Sequence, residues 1–241
     1  MGKKFWNFIK NESSDSADLQ LYGEIADSSW WGDEVTPKNF KGELDALGNI
    51  SVLNVYINSP GGDVFAGQAI HSMLKRHKAQ VNVYVDGLAA SIASVIAMAG
   101  DKVIMPSNAM MMIHDPWTIA AGNAQDFRKM ADDLDKIKES LVAAYLGKAT
   151  NLDEATISEM MGEEKWLTAQ EAVEYGFADE VEEAKDYVAS LKGRYLSFYK
   201  NIPPDLTAIA KVNLKQEPKS EPKQDQTIEL LKAKLSLELA L

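Results

Sequence analysis

The chain has no cysteine and only three histidines among its 241 residues. The first absence removes disulfides, thiolate nucleophiles and Cys-ligated zinc, and it fits a reducing compartment. Basic residues are also scarce. Against 36 Asp and Glu stand 25 Lys and Arg, a net charge of -11, and that field repels phosphate backbones and anionic membrane unless cations are concentrated locally. The densest basic run, Lys75-Arg76-His77-Lys78, reads as the solvated C-terminal end of a helix, where cations are favoured. Long apolar runs are missing too. The longest uncharged one, Gly87 to Gly100, is too short for a bilayer and too rich in Gly, Ala and Ser to face lipid, so it reads as a buried helix. Near the N-terminus, Phe5-Trp6-Asn7-Phe8-Ile9 is interrupted by Lys10 and followed by polar residues, which leaves no secretory h-region. These readings predict a cytoplasmic protein with no nucleic-acid and no membrane partner.

Signature motifs are absent as well. After the loop Asn58-Ser59-Pro60-Gly61-Gly62, Gly67 is followed by Gln68 and Ala69 rather than by Lys and a hydroxyl residue, which excludes a Walker phosphate loop. Neither Gly-x-Gly-x-x-Gly nor His-Glu-x-x-His occurs, so no nucleotide cofactor and no metal is expected. The Gly-x-Ser-x-Gly elbow is missing too.

What is present is a globular composition. With 46% hydrophobic and 25% charged residues, the chain can bury a sizeable core, and its length allows one large domain with an appendage or two small domains. Residues 1–18 read as a flexible polar arm. Leu19 to Ile25 then alternates like a first strand. Thr36-Pro37 opens a helix with Phe40, Leu44 and Leu47 on one face. Val52 to Ile57 is a strand running into the Gly61-Gly62 loop, and Asp63 is placed to cap a helix carrying Val64, Gly67, Ile70, Met73 and Leu74 as its apolar stripe. A strand, Val81 to Val85, leads to the small-residue helix from about Ala89 to Ala99, and short strands follow around 102–105 and 110–113. This alternation predicts an α/β fold with a mostly parallel sheet and functional groups at the carboxyl ends of its strands. From Asn123 to about Lys148, Phe127, Met130, Leu134, Ile137, Leu141, Val142 and Tyr145 keep helical spacing, longer than one compact domain needs on its surface, which predicts a projecting helix or one packed on a neighbour. Two shorter helices follow, the second opened by a Thr168-x-x-Glu171 capping box. Beyond about Tyr199 the composition changes. Residues 201–241 hold Pro203, Pro204, Pro218 and Pro222 but no aromatic residue, and they end in a leucine-dense segment from Thr227. That reads as a flexible linker and a helix that needs a partner.

Of the histidines, His71 and His77 lie among polar neighbours, whereas His114 ends the apolar strand Met110 to Ile113 and precedes Asp115-Pro116. Ser91, in Gly87-Leu88-Ala89-Ala90-Ser91-Ile92-Ala93-Ser94, stands where strand gives way to helix. A serine there is exposed at the sheet end, and the backbone N–H after it points to where an oxyanion would form. Taken alone, a Gly/Ala/Ser-rich segment is a close-packing device, and the two glycines of the Pro60-Gly61-Gly62 loop are a tight turn. Ser94 faces nearly the same side but sits deeper in the helix.

In this order and spacing, Ile57-Asn58-Ser59-Pro60-Gly61-Gly62, Ala89-Ala90-Ser91, Met112-Ile113-His114-Asp115-Pro116 and Leu167-Thr168-Ala169-Gln170-Glu171-Ala172-Val173-Glu174-Tyr175-Gly176 resemble the Clp protease proteolytic subunit (ClpP) family, serine peptidases of the crotonase-like α/β superfold. The resemblance spans roughly Leu19 to Glu182. It implies Ser91 as nucleophile, His114 as general base and the N–H groups of Gly62 and Ile92 as oxyanion hole. The family's third member is an aspartate shortly before the Leu-Thr/Ser-Ala segment. This sequence has Glu164 there instead, with Glu163 as runner-up, and glutamate can orient an imidazole with a longer reach. The domain would span 19–199, with a handle over about 115–148 through which stacked heptameric rings meet, and it would act on proteins, with an ATPase partner left open. The unusual first eighteen residues, Trp30-Trp31, the Asp63-Val64-Phe65-Ala66-Gly67 continuation and the tail over 200–241 look more like the head-maturation (prohead) proteases of tailed bacteriophages. Such enzymes cleave scaffold and capsid proteins inside the procapsid in the bacterial cytoplasm. The rivals are an ATPase-dependent housekeeping subunit, an acyl-CoA hydratase or isomerase of the same superfold, and an inert capsid assembly or scaffold protein.

Overall fold

The alternating run from Val52 forms a strand at the middle of an eight-stranded sheet, with Leu53, Val55 and Ile57 buried. The computed structural model describes residues 4–11, 14–26, 37–185 and 198–204. In chain order the elements are β1 (Trp6–Asn11), β2 (Ser16–Tyr22), α1 (Pro37–Ala46), β3 (Val52–Ser59), α2 (Val64–Lys75), β4 (Gln80–Ala90), α3 (Ile92–Ala97), β5 (Lys102–Pro106), β6 (Met110–Ile113), α4 (Ala124–Leu146), α5 (Glu154–Gly162), β7 (Lys165–Thr168), α6 (Ala169–Glu174) and β8 (Glu180–Glu182).

The main sheet runs β1-β2-β3-β4-β5-β8. Its pairs are parallel except β1 with β2, as expected when helices supply the crossovers. β4 is shared between two partners. Asn82, Val83 and Tyr84 pair with β5, whereas Leu88, Ala89 and Ala90 pair with β6, which in turn pairs antiparallel with β7. This fork exchanges β5 for β6 along one edge of β4, while Ala89 near its end still pairs with Ser59 of β3.

Three expectations change. Within the arm expected over 1–18, the described residues 4–11 and 14–18 are ordered parts of the domain. β1 and β2 form an antiparallel pair, and Phe5 and Trp6 are buried, with Trp6 edge to face on Phe5 at 4.9 Å and on Phe40 of α1 at 5.6 Å. The polar look of this stretch belongs to an edge strand, where Lys4 pairs with Glu43 at 2.6 Å and Lys10 Nζ donates to the Leu47 carbonyl at 2.7 Å. The small-residue run is not one helix from Ala89. β4 continues through Ala90, and α3 begins only at Ile92. Both halves are buried on every side, so their apolar residues carry no period that separates strand from helix. Finally, the linker expected from residue 200 begins with residues that pack on the domain, described below. The leucine-dense end, Trp30-Trp31 and Thr36 lie outside the described residues.

Elsewhere local chemistry decides as read. Asp63 caps α2 by accepting from Ala66 N–H at 2.7 Å, Thr168 and Glu171 form the capping box of α6, and the basic run closes α2 at the surface. Asn123 and Asp126 form a capping box at the start of α4, which buries Leu141, Val142 and Tyr145 but leaves Phe127 and Met130 exposed. The chain is thus a mixed α/β fold with a mostly parallel sheet and one long helix whose first half has no core of its own. Among the described residues no helix is long and apolar enough to cross a membrane.

Candidate active site

The register of β4 against β6 brings the first two candidates together. Ala90 pairs with Met112, and Ser91 N–H donates to the Met112 carbonyl at 2.8 Å. The chain then turns sharply at Ser91, with φ 55 and ψ −129, before α3 starts. A residue with a Cβ pays about 1–3 kcal/mol to sit there, a strain that lifts the side chain out of both strand and helix. Two glycines from the preceding crossover supply the space that flanking glycines give other serine elbows. A Cβ on Gly61 would lie 2.7 Å from Ser91 Cβ, and one on Gly67 of α2 would lie 2.1 Å from Ile92 Cγ1.

His114 follows the last residue of β6, and its Nε2 lies 2.8 Å from Ser91 Oγ. Burial holds the imidazole below its ordinary value of 6.5, opposed by the charges of Glu164 and Asp115 and assisted by Lys200. The ring therefore rests neutral at pH 7 and can accept a proton. Asp115 itself is ion-paired with Lys138 at 2.7 Å. His71 and His77 lie elsewhere, on and just after α2, and His77 Nδ1 accepts from Ala79 N–H.

Glu164 reaches the same place from β7. The antiparallel ladder pairs Met112 with Trp166 and Ile113 with Lys165, so one further step sets His114 opposite Glu164. Glu164 is itself at positive φ (55) and is only 8% exposed. Its carboxylate accepts from Lys200 N–H at 2.8 and 2.9 Å, from Asn201 N–H at 2.7 Å and from Trp166 Nε1–H at 3.3 Å. Its influence on His114 is thus one of charge, with its hydrogen bonds accepted from residues 166, 200 and 201. Glu163 ends α5 with its side chain exposed, and its carbonyl accepts from Asn201 Nδ2 at 2.9 Å.

The two backbone donors lie at the same corner. Gly62 forms an isolated parallel bridge with Ile25 in which Ile25 N–H donates to Gly61 O and Asp63 N–H donates to Ile25 O, both outside Gly62's own N–H. A Cβ on Gly62 would fall 1.9 Å from Ile25 O, so glycine is required there. Ile92 opens α3, where the first N–H groups have no intrahelical acceptor. Ser94 is fully buried, and its Oγ is engaged with Ser91 O at 2.6 Å and Tyr145 Oη at 2.8 Å, so its hydroxyl holds α3 to α4.

Ser91, His114, Gly62 and Ile92 line a groove of about 510 Å³ whose apolar walls include Phe65, Trp117, Ile119 and Leu134. Among the groove residues that sequence reasoning did not assign to the site are Trp117, Ile119, Phe198 and Tyr199, of which the last two come from beyond β8. Phe198 and Tyr199 are the last aromatic residues before the proline-containing tail, and an aromatic pair at a composition boundary was the available signal. Among the described residues no group of three or more His, Asp or Glu side chains is placed to hold a metal ion.

An alcohol within hydrogen-bond reach of a neutral imidazole, beside two backbone donors at the mouth of an apolar groove, can carry out acyl transfer. Comparison with known proteins agrees with this chemistry. The family model described as Clp protease matches residues 40–185, more than half of the chain. The ATP-dependent Clp protease proteolytic subunit of Deinococcus radiodurans is 35% identical over 141 residues, covering 57% of this chain and 68% of that protein. The matched region runs from α1 through β8 and contains the fork in the sheet, the strained serine and its histidine, so the chain belongs to the Clp protease family and is a serine-type peptidase.

Proposed function

We propose that the chain is a serine endopeptidase in which Ser91 is the nucleophile, His114 the general base, Glu164 the charge that stabilises the imidazolium, and Gly62 and Ile92 the oxyanion donors. The observation that carries this reading is the 2.8 Å contact between His114 Nε2 and the Oγ of a serine held at positive φ. Ser91 Oγ adds to the scissile carbonyl as its proton passes to His114 Nε2, and the oxyanion is held by the two N–H groups. Collapse of the adduct breaks the C–N bond, and the imidazolium returns the proton to the leaving amine. Water, deprotonated by the same imidazole, then releases the acyl group and restores Ser91. A fluorophosphonate tests the assignment directly. It should label Ser91 stoichiometrically in the wild type and not at all in Ser91→Ala. Binding of acyl-CoA without labelling would instead favour the hydratase or isomerase chemistry.

Proteins of this family form oligomeric rings and act on protein substrates. For this chain we propose a homo-oligomeric ring, and the exposed Phe127 and Met130 on α4 support a role for that helix in contacts between copies. The narrower role we propose is head maturation in a tailed bacteriophage, cleaving scaffold and capsid proteins. It is supported by the sequence outside the matched region, namely the first residues, Trp30-Trp31 and the proline-interrupted, leucine-dense tail. The Deinococcus relative is by its name ATP-dependent, and one experiment separates the two roles. Co-expression with candidate capsid and scaffold proteins, with and without Ser91→Ala, should yield new termini that need Ser91 but no ATPase. Cleavage only in the presence of an unfolding ATPase would place the chain with the housekeeping subunits.

A further inference from the structure

Behind Ser91 and His114 lies a small apolar cluster separate from the main core, made of Leu88, Ala90, Met112 and Tyr199 with Trp166 and Ile202 against it. Leu88, Ala90 and Met112 come from the two strands that carry Ser91 and His114. Tyr199 comes from beyond the end of the matched family region. Its side chain is wedged into the site at 8% exposure. The ring meets His114 edge to face at 5.2 Å and Trp166 at 6.1 Å. Its hydroxyl donates to the carbonyl of Pro60, which immediately precedes Gly61 and Gly62. The following N–H groups of Lys200 and Asn201 are fixed on the buried carboxylate of Glu164. One side chain therefore touches the imidazole and the loop that carries one oxyanion donor, and its backbone is tied to the acidic group opposite His114.

We propose that Tyr199 is a positioning residue of the active site, holding the His114 ring toward Ser91 Oγ and the Pro60-Gly61-Gly62 loop in register with α3, with Glu164 as the anchor of its segment. This rests on the serine peptidase reading above. The segment does not seal the site, since Tyr199 and Phe198 form part of the wall of a groove in which Ser91 and His114 remain accessible. It acts by geometry and by keeping water from one face of the imidazole. The charged groups around that ring are Glu164 and Asp115, which favour the imidazolium, and Lys200, which opposes it. Removing the Tyr199 side chain leaves all three in the chain but opens the ring to solvent. The acid limb of activity should then move upward in pH, toward the ordinary imidazole value, because burial is the largest influence holding it down.

The test compares Tyr199→Phe, Tyr199→Leu and Tyr199→Ala in the full chain, with a fluorogenic peptide and with the rate of fluorophosphonate labelling as a function of pH. Tyr199→Ala should lose about 10- to 100-fold in kcat with KM nearly unchanged, and its acid limb should rise. Tyr199→Leu, which keeps the apolar bulk if the alanine variant fails to fold, should show the same upward shift to a smaller extent. Tyr199→Phe keeps the ring edge and loses only the bond to Pro60. It should keep the wild-type acid limb and lose less than about tenfold in kcat. Unchanged kcat and pH profile in both Tyr199→Ala and Tyr199→Leu would overturn the proposal, and so would a rise in activity, which would make the segment an inhibitory strap. Titration of the His114 ring by NMR, tractable with three histidines, reads the same displacement without turnover. If the wild-type protein never labels at Ser91, the peptidase mechanism fails, and this titration still decides whether Tyr199 governs the imidazole.

Discussion

The two halves of the site are built differently. Ser91 and His114 follow neighbouring parallel strands, and the ladder from Leu88↔Met110 to Ala90↔Met112 fixes their separation before any side chain is placed. Glu164 is placed differently. It sits at positive φ between α5 and β7, one step past the last pair of the antiparallel β6–β7 ladder, and its carboxylate is held by N–H groups thirty-six and thirty-seven residues later. The first half is set by backbone pairing inside the matched domain. The second depends on a segment outside it. A site assembled this way can keep Ser91 and His114 rigid while the acidic side varies in residue type and support.

The largest expected effects break the rigid half. Ser91→Ala should lower peptide hydrolysis by roughly 10⁴-fold or more while leaving the melting temperature within a few degrees of wild type, since the members of such a unit act together. His114→Ala should do nearly the same. Retention of more than a tenth of the activity in Ser91→Ala would remove it as nucleophile. Gly62→Ala comes next. Its Cβ cannot fit beside Ile25 O, so the loop must shift and withdraw a donor, costing on the order of 10²- to 10³-fold in kcat, readable against unchanged binding of a product peptide.

The supported half should give way more gently. Glu164→Gln keeps much of the shape but removes the charge, and turnover should fall on the order of 10²-fold. Glu163→Gln, on an exposed side chain, should change it less than about threefold. The reverse order would transfer the role. The pH profile sharpens the contrast. The imidazole must be neutral to accept the proton, and burial lowers its pKa, so kcat/KM of the wild type should rise through a midpoint below 6.5. Because the Glu164 charge raises that pKa, Glu164→Gln should move the midpoint further down, opposite in sign to Tyr199→Ala. The smallest effect is expected at Tyr145→Phe, which removes the buried bond to Ser94 Oγ. It should cost about 1–2 kcal/mol of stability in denaturant unfolding and leave the acid limb where it was.

Much of the rigid half was legible in the residues. A serine where strand meets helix, a histidine ending an apolar strand and a glycine pair after a strand are each local features, and their order carried the family resemblance. The alternation of strands and helices likewise gave a mostly parallel sheet. The reading failed where local pattern is silent. Trp6 looked like part of a polar arm because it packs on Phe40 of α1, thirty-four residues away. Ala89 and Ala90 looked helical because a segment buried on every side has no amphipathic period. Tyr199 looked like the end of a domain because the groups it covers, His114 and the Pro60 carbonyl, lie far from it in sequence.

By itself the sequence determined which chemistry is available. Without cysteine and with three histidines, residue type and local pattern offered Ser91 and His114 among the candidates, and the resemblance of four segments in order to the Clp protease family singled them out. Caps such as Asp63, Asn123 and Thr168 are equally local, since each satisfies N–H groups within three residues of itself. Only the tertiary structure decided distance and environment: the 2.8 Å from His114 to Ser91, the space that Gly61 and Gly67 leave around the strained serine, and the amides of Lys200 and Asn201 on Glu164. These depend on strand register and on contacts between segments far apart in the chain. Such contacts arise from packing and from the satisfaction of buried polar groups, which no local window of sequence contains.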